Sequence, residues 1–244
     1  FMDNISLYED IKARTGGEIY LGVVGPVRTG KSTFIRRFMD LCVIPSILDP
    51  NEKKRIIDEL PQAGVGKTVM TTEPKFIPKT GIEIPLSNNV KAKFRLIDCV
   101  GYIVDSAQGV YEDDKERLVK TPWFDENIPF SKAAQTGTEK VIRDHSTIGI
   151  VMTTDGSIGE FTRDDYISAE EKAIMELKKI KKPFIVIVNS TFPASDFTRK
   201  IANEISEKYE VTALPMDCEN LNKEDVNKIL SAILILIFPD GRNA

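Results

Sequence analysis

The amino-acid sequence predicts a three-layer α/β/α domain built on a mainly parallel sheet. Two observations carry that expectation. Short apolar runs alternate with stretches of helical period along the 244 residues, and one of those runs ends in a glycine-bounded loop that opens straight into a helix. Strands joined by amphipathic helices form βαβ units, and parallel strands buried on both faces read as unbroken apolar segments.

Each element follows from its pattern. Residues 19–24 are an apolar run and the first strand. Residues 33–41 place Phe34, Ile35, Phe38 and Leu41 on one stripe, a helix face that packs on a sheet. A charged helix over 51–60 lies in the segment 43–70, and strands are expected at 93–97, 147–152, 184–188 and 211–215. Ala173, Ile174, Leu177 and Ile180 stripe a helix over 169–180, which Pro183 stops. Val226, Ile229, Leu230, Ile233 and Ile237 stripe the last one. Segment 101–142 is the longer of two insertions and holds the single tryptophan, Trp123. Loops of that length in a compact domain are usually functional. Residues 232–238 are apolar on every side, so either deep packing or, as the favoured reading, a covering domain of a longer protein is expected there.

Composition narrows the function classes. A net charge of −4 and a pI near 5.3 exclude a basic nucleic-acid face as the main feature. No apolar stretch reaches the length of a membrane span. The acidic Asp3, Glu9 and Asp10 stand where a secretory leader would be basic. Cys42, Cys99 and Cys218 are odd in number and scattered, the usage of a reducing compartment. Both features fit a cytoplasmic protein.

The loop after the first strand carries chemistry. Gly25-Pro-Val-Arg-Thr-Gly-Lys31-Ser32-Thr33 has the spacing of a P-loop. Its glycines let backbone N–H groups approach phosphate oxygens, and the following helix presents its positive end to the same anion. Gly25, Val27, Arg28, Thr29, Gly30, Lys31, Ser32 and Thr33 are therefore the candidate nucleotide cradle. Lys31 reaches the β- and γ-phosphates, and the Ser32 hydroxyl ligates Mg²⁺. A second motif follows at Phe94-Arg-Leu-Ile-Asp98-Cys-Val-Gly101. An aspartate delivered by a strand stands beside the metal, and the glycine N–H meets the γ-phosphate. Between the two lies Gly66-Lys-Thr68-Val-Met-Thr71-Thr72-Glu73-Pro74. Thr71 and Thr72 are both candidates for a sensor that closes on Mg²⁺ and the γ-phosphate. The candidate metal set is Ser32, Asp98 and one of these threonines, with Thr72 as the working assignment.

Together these motifs resemble the translation-factor-related class of P-loop GTPases. That class reads guanine with Asn-Lys-x-Asp, but here the corresponding strand ends in Asn189-Ser190-Thr191-Phe192. Asn189 is kept as a candidate nucleotide contact. Phenylalanine accepts no hydrogen bond, so discrimination for guanine is lost and ATP becomes the expected nucleotide. Tyr102 stands where many such enzymes place a water-orienting glutamine. Arg28 lies in the P-loop at a place similar to the internal arginine finger of large guanylate-binding GTPases, and an arginine pointing to solvent is the other reading. Two alternatives to an ATPase stay open: a GTPase switch reading guanine through a residue such as Asp196, and a nucleotide-gated scaffold with negligible turnover.

Over essentially its whole length the chain is similar to the stage IV sporulation protein A family. Arg14-Thr-Gly-Gly17, the P-loop through Phe34, Met70-Thr-Thr-Glu-Pro-Lys-Phe76, Leu96-Ile-Asp-Cys-Val-Gly-Tyr102, His145-Ser-Thr-Ile-Gly149, Thr153-Thr-Asp-Gly-Ser-Ile-Gly159 and Glu207-Lys-Tyr209 carry that resemblance. It implies an ATPase, with Lys31 and Ser32 in Walker A positions, Asp98 in Walker B and Thr71 and Thr72 as a sensor pair. It also implies Mg²⁺-dependent ATP hydrolysis driving self-assembly into a polymer at the forespore surface, in the mother-cell cytoplasm. The partners implied are a small amphipathic membrane-anchoring peptide and other coat proteins. The organisation expected is an N-terminal segment (1–18), a P-loop ATPase domain (19–240) and further C-terminal domains beyond this chain.

Overall fold

The computed structural model describes residues 17–61, 74–85, 91–104, 111–112, 115–159 and 161–237. Its centre is a six-stranded sheet in the order β10-β9-β8-β1-β3-β2. Strand β1 (Glu18–Val24) runs parallel to β3 (Lys91–Asp98) on one side and to β8 (Ile148–Thr154) on the other. β9 (Phe184–Asn189) and β10 (Ala213–Met216) continue the parallel run. β8 and β9 are buried at every position, which is why they read as unbroken apolar segments.

Helices cover both faces. On one side α1 (Lys31–Cys42) packs Phe34, Ile35 and Phe38 onto Leu21 and Ile150, beside the short α2 (Pro50–Glu59). The last helix, α6 (Lys223–Ile237), joins that core through Val226, Ile229, Leu230, Ile233 and Ile237. It is not covered all round, because Ile235 is 64% exposed. The opposite face carries α3 (Phe130–Lys140), α4 (Arg163–Lys179) and α5 (Asp196–Tyr209) around Phe130, Tyr166, Leu177 and Ile205. A capping box of Thr162 and Asp165 starts α4 at Arg163, six residues ahead of the start expected at 169.

The edge strand β2 (Lys75–Pro85) runs antiparallel to β3 and was not expected. The long insertion is partly built. It contains the paired short strands β4 (Tyr111–Glu112) and β5 (Lys115–Glu116), then a hairpin of β6 (Leu118–Thr121) and β7 (Phe124–Pro129) with Trp123 in its turn. His145 packs edge-on against Phe76 with ring centroids 5.4 Å apart, a structural use of the lone histidine. No helix among the described residues is long and apolar enough to cross a membrane.

Candidate functional site

All five parallel strands end at one edge of the sheet, so the loops after β1, β3, β8 and β9 meet there. Two of them are zipped together. The Val27 N–H donates to the Tyr102 carbonyl at 2.8 Å, and the Tyr102 N–H donates to the Gly25 carbonyl at 3.0 Å. This pairing needs glycine at both places. A Cβ on Gly25 would stand 2.2 Å from the Met152 carbonyl oxygen, and one on Gly101 would stand 2.3 Å from that of Gly25. Both have positive φ, +125° and +95°. Tyr102 is buried among Val27 and Val104. Burial, with Glu139 and Glu176 nearby, pushes its phenol pKa well up, so the residue in the glutamine position is a neutral core side chain.

Lys31, Ser32 and Asp98 come together as the motifs require. Lys31 is 5% exposed and its Nζ donates to the Pro26 carbonyl at 2.5 Å, which folds the ammonium back over the loop. A Cβ on Gly101 would lie 2.6 Å from that nitrogen, so the switch glycine leaves room for the lysine alone. Burial lowers the Lys31 pKa, opposed by the acidic groups of Cys99 and Asp98. The Cys99 thiol is itself pushed up to about 11 by burial and stays protonated. The Ser32 Oγ donates to Asp98 Oδ2 at 3.0 Å. Asp98 Oδ1 is buried with no hydrogen-bond partner among the described residues. Burial raises the Asp98 pKa, while Lys31 and the Ser32 bond pull the other way.

These donors fit Mg²⁺. The ion takes hard oxygens, one or two from protein and the rest from water and phosphate. Ser32 Oγ and an Asp98 carboxylate with a vacant oxygen supply that set, and they would hold the ion at the end of β3. No group of three or more His, Cys, Asp and Glu side chains forms a separate cage among the described residues. Thr71 and Thr72 lie outside the described residues.

Thr29 and Thr33 complete the loop differently. The buried Thr29 turns its hydroxyl back to the Pro26 carbonyl at 3.0 Å, while Thr33 continues α1. Val27 is a core side chain whose N–H is already bonded to Tyr102, so it contributes shape. Arg28 has a φ of +65°, a left-handed conformation that disfavours side chains, and its Nη2 is buried from solvent. The guanidinium therefore turns inward, within electrostatic reach of Tyr166 at the start of α4.

That helix end is pinned by an ion pair sequence reasoning missed. Arg163 holds Glu170 through two bonds, 2.5 and 3.0 Å, and Thr153 donates to the same carboxylate at 2.5 Å. The Glu170 side chain is only 3% exposed. The seven-residue spacing puts both on one helix face, a signal present in the sequence but common on solvated helices. Glu170→Ala leaves the Arg163 charge half-stranded, and about 3 kcal/mol of stability should be lost. Urea unfolding of the variant beside the parent checks this.

The base loop is stitched internally. Asn189 donates from Nδ2 to the Thr29 carbonyl at 3.1 Å and accepts at Oδ1 from the Cys218 N–H at 3.0 Å. It braces the P-loop against the loop after β10. Ser190, in the lysine position, is fully buried and shares a network with Ser157 and Thr198. Thr198 donates to Asp155 at 2.6 Å. Burial raises the Asp155 pKa, but bonds from Ser157, Ser190 and Thr198 outweigh it and hold the carboxyl below its usual range. Phe192, in the aspartate position, is 70% exposed. Asp196 is exposed at the start of α5.

Comparison with known proteins places this arrangement. Residues 2–239 match the family described as stage IV sporulation protein A, ATPase domain. The chain belongs to that family. It is 53% identical over 231 residues to stage IV sporulation protein A of Clostridioides difficile (strain 630) and 49% identical over 233 residues to that of Bacillus subtilis (strain 168). These alignments cover 95% and 96% of the chain and 47% of each relative, so the chain spans about half the length of the curated relatives it matches. A solved structure of an SsGBP mutation variant shares the fold with a TM-score of 0.51 at 14% identity, covering 99% of this chain and 67% of that one. This family member is thus a P-loop NTPase domain of a sporulation protein.

Proposed function

We propose that this chain binds Mg²⁺–ATP, hydrolyses it, and uses the resulting change to promote self-assembly of a spore-coat layer on the forespore surface. The observation that carries the reading is the Lys31–Ser32–Asp98 cluster closed under Gly101, with Phe192 standing where a guanine-reading carboxylate belongs. Mg²⁺, when bound, neutralises charge on the β- and γ-phosphate oxygens. The chain's own groups do the rest. Lys31 and the N–H groups opening α1 hold the phosphates. Arg28 turns inward to meet charge building on the transferring phosphoryl group. Gly101, whose neighbour Tyr102 is tied to the P-loop, couples the γ-phosphate position to the long insertion after it. Loss of that contact on hydrolysis would release the insertion, an order-to-disorder switch. The family resemblance supports polymer formation, the small membrane-anchoring peptide and other coat proteins as partners.

Phosphate release from the purified chain with Mg²⁺ and either ATP or GTP tests the reading. ATP-selective release is expected. GTP preference would overturn the account of residues 189–192, and binding without release would leave a nucleotide-gated scaffold.

A further inference from the structure

Tyr166 is fully buried, and its hydroxyl has no hydrogen-bond partner among the described residues. A stranded buried hydroxyl carries a desolvation penalty, and phenylalanine would fill the same space without it. The ring is held firmly. Arg163, Tyr166 and Glu170 fall on one face of α4, and the Arg163–Glu170–Thr153 cluster fixes that face to the end of β8. Phe161 stacks edge-on against the ring at 6.0 Å, and Val27 and Tyr102 share its core. The oxygen lies at the rim of the nucleotide loops, 3.9 Å from where a Cβ on Gly159 would stand. The Arg28 guanidinium is near enough for its charge to be felt at the phenol, opposing the rise that burial and Asp165 impose.

We propose that Tyr166 is a positioning residue for Arg28: with a γ-phosphate in place, the phenol oxygen accepts an N–H of the Arg28 guanidinium and holds it across the phosphate. The inference rests on the reading of Arg28 as an inward-facing finger. Tyrosine suits the task because its oxygen accepts from a cation without adding a charge to the pocket. The rigid mounting on α4 sets the height of the guanidinium above the P-loop.

Tyr166→Phe removes only the oxygen. Calorimetric affinities for ADP, and for ADP with beryllium fluoride as a γ-phosphate mimic, both with Mg²⁺, read the effect without turnover. In the variant the gain from beryllium fluoride should fall about tenfold, the value of a hydrogen bond to a charged donor, with ADP affinity unchanged. The melting temperature of the nucleotide-free chain should stay the same or rise. In an Arg28→Ala background the substitution should have no further effect. An unchanged beryllium fluoride gain overturns the proposal, as does an equal loss in the Arg28→Ala background or a lowered melting temperature of the free variant. Beryllium fluoride discrimination without phosphate release would sink the hydrolysis reading alone and leave this one standing.

Discussion

Lys31→Ala is expected to reduce phosphate release to background and to weaken ATP binding by about 10- to 100-fold, the loss of charge-assisted bonds to the phosphates. The fold should survive, because Lys31 is a buried cation whose burial already opposes its charge and whose Nζ bonds a backbone carbonyl. The substitution has a second signature in pH. The Asp98 pKa is raised by burial, and Lys31 is the strongest influence opposing that rise. A carboxyl with a raised folded pKa binds its proton more tightly folded than unfolded, so stability falls as pH climbs from the unfolded value near 4 through the folded one. Removing Lys31 widens that window. Urea midpoints of Lys31→Ala should therefore drop more steeply between acid and neutral pH than those of the parent. Retained turnover would remove the P-loop from the chemistry altogether.

The parts legible in the sequence were those where one residue type serves one physical need. Gly25, Lys31, Ser32, Asp98 and Gly101 announce themselves because phosphate and Mg²⁺ demand a bare backbone, a cation, a hydroxyl and a carboxylate at set intervals. β8 and β9 were plain because burial on both faces makes apolar runs. β2 was hidden: Pro78, Gly81 and three lysines or glutamates interrupt it, which an edge strand tolerates and a central one does not. α5 was passed over because Ile201, Ala202, Ile205 and Tyr209 form a narrow stripe in a charged segment. Tyr166 carried no signal and the Arg163–Glu170 spacing only one common on solvated helices, since their meaning depends on what α4 lies against. Asn189 reads in the sequence as a candidate nucleotide contact, yet its bonds to Thr29 and Cys218 show it bracing two loops, information that only the packing supplies.

Arg28 separates a working site from a relic. An arginine in the left-handed region costs about 1 kcal/mol that glycine would not, and its inward turn carries a charge into a partly desolvated loop. That expense is understandable if the guanidinium meets charge developing on the phosphoryl group, where an arginine supplied within the same chain or by a partner accelerates hydrolysis by about 10³-fold or more. Arg28→Ala should accordingly lower kcat by about that factor while changing ATP affinity only about tenfold, because the contact strengthens further in the transition state. Arg28→Gly should lose the same turnover yet melt higher than Arg28→Ala, since glycine adopts a φ of +65° without strain. Single-turnover phosphate release and thermal melting of both variants decide the matter. A fall in affinity with kcat intact would make Arg28 a ground-state phosphate ligand, and full turnover in both would show that the strained arginine has no part in the reaction.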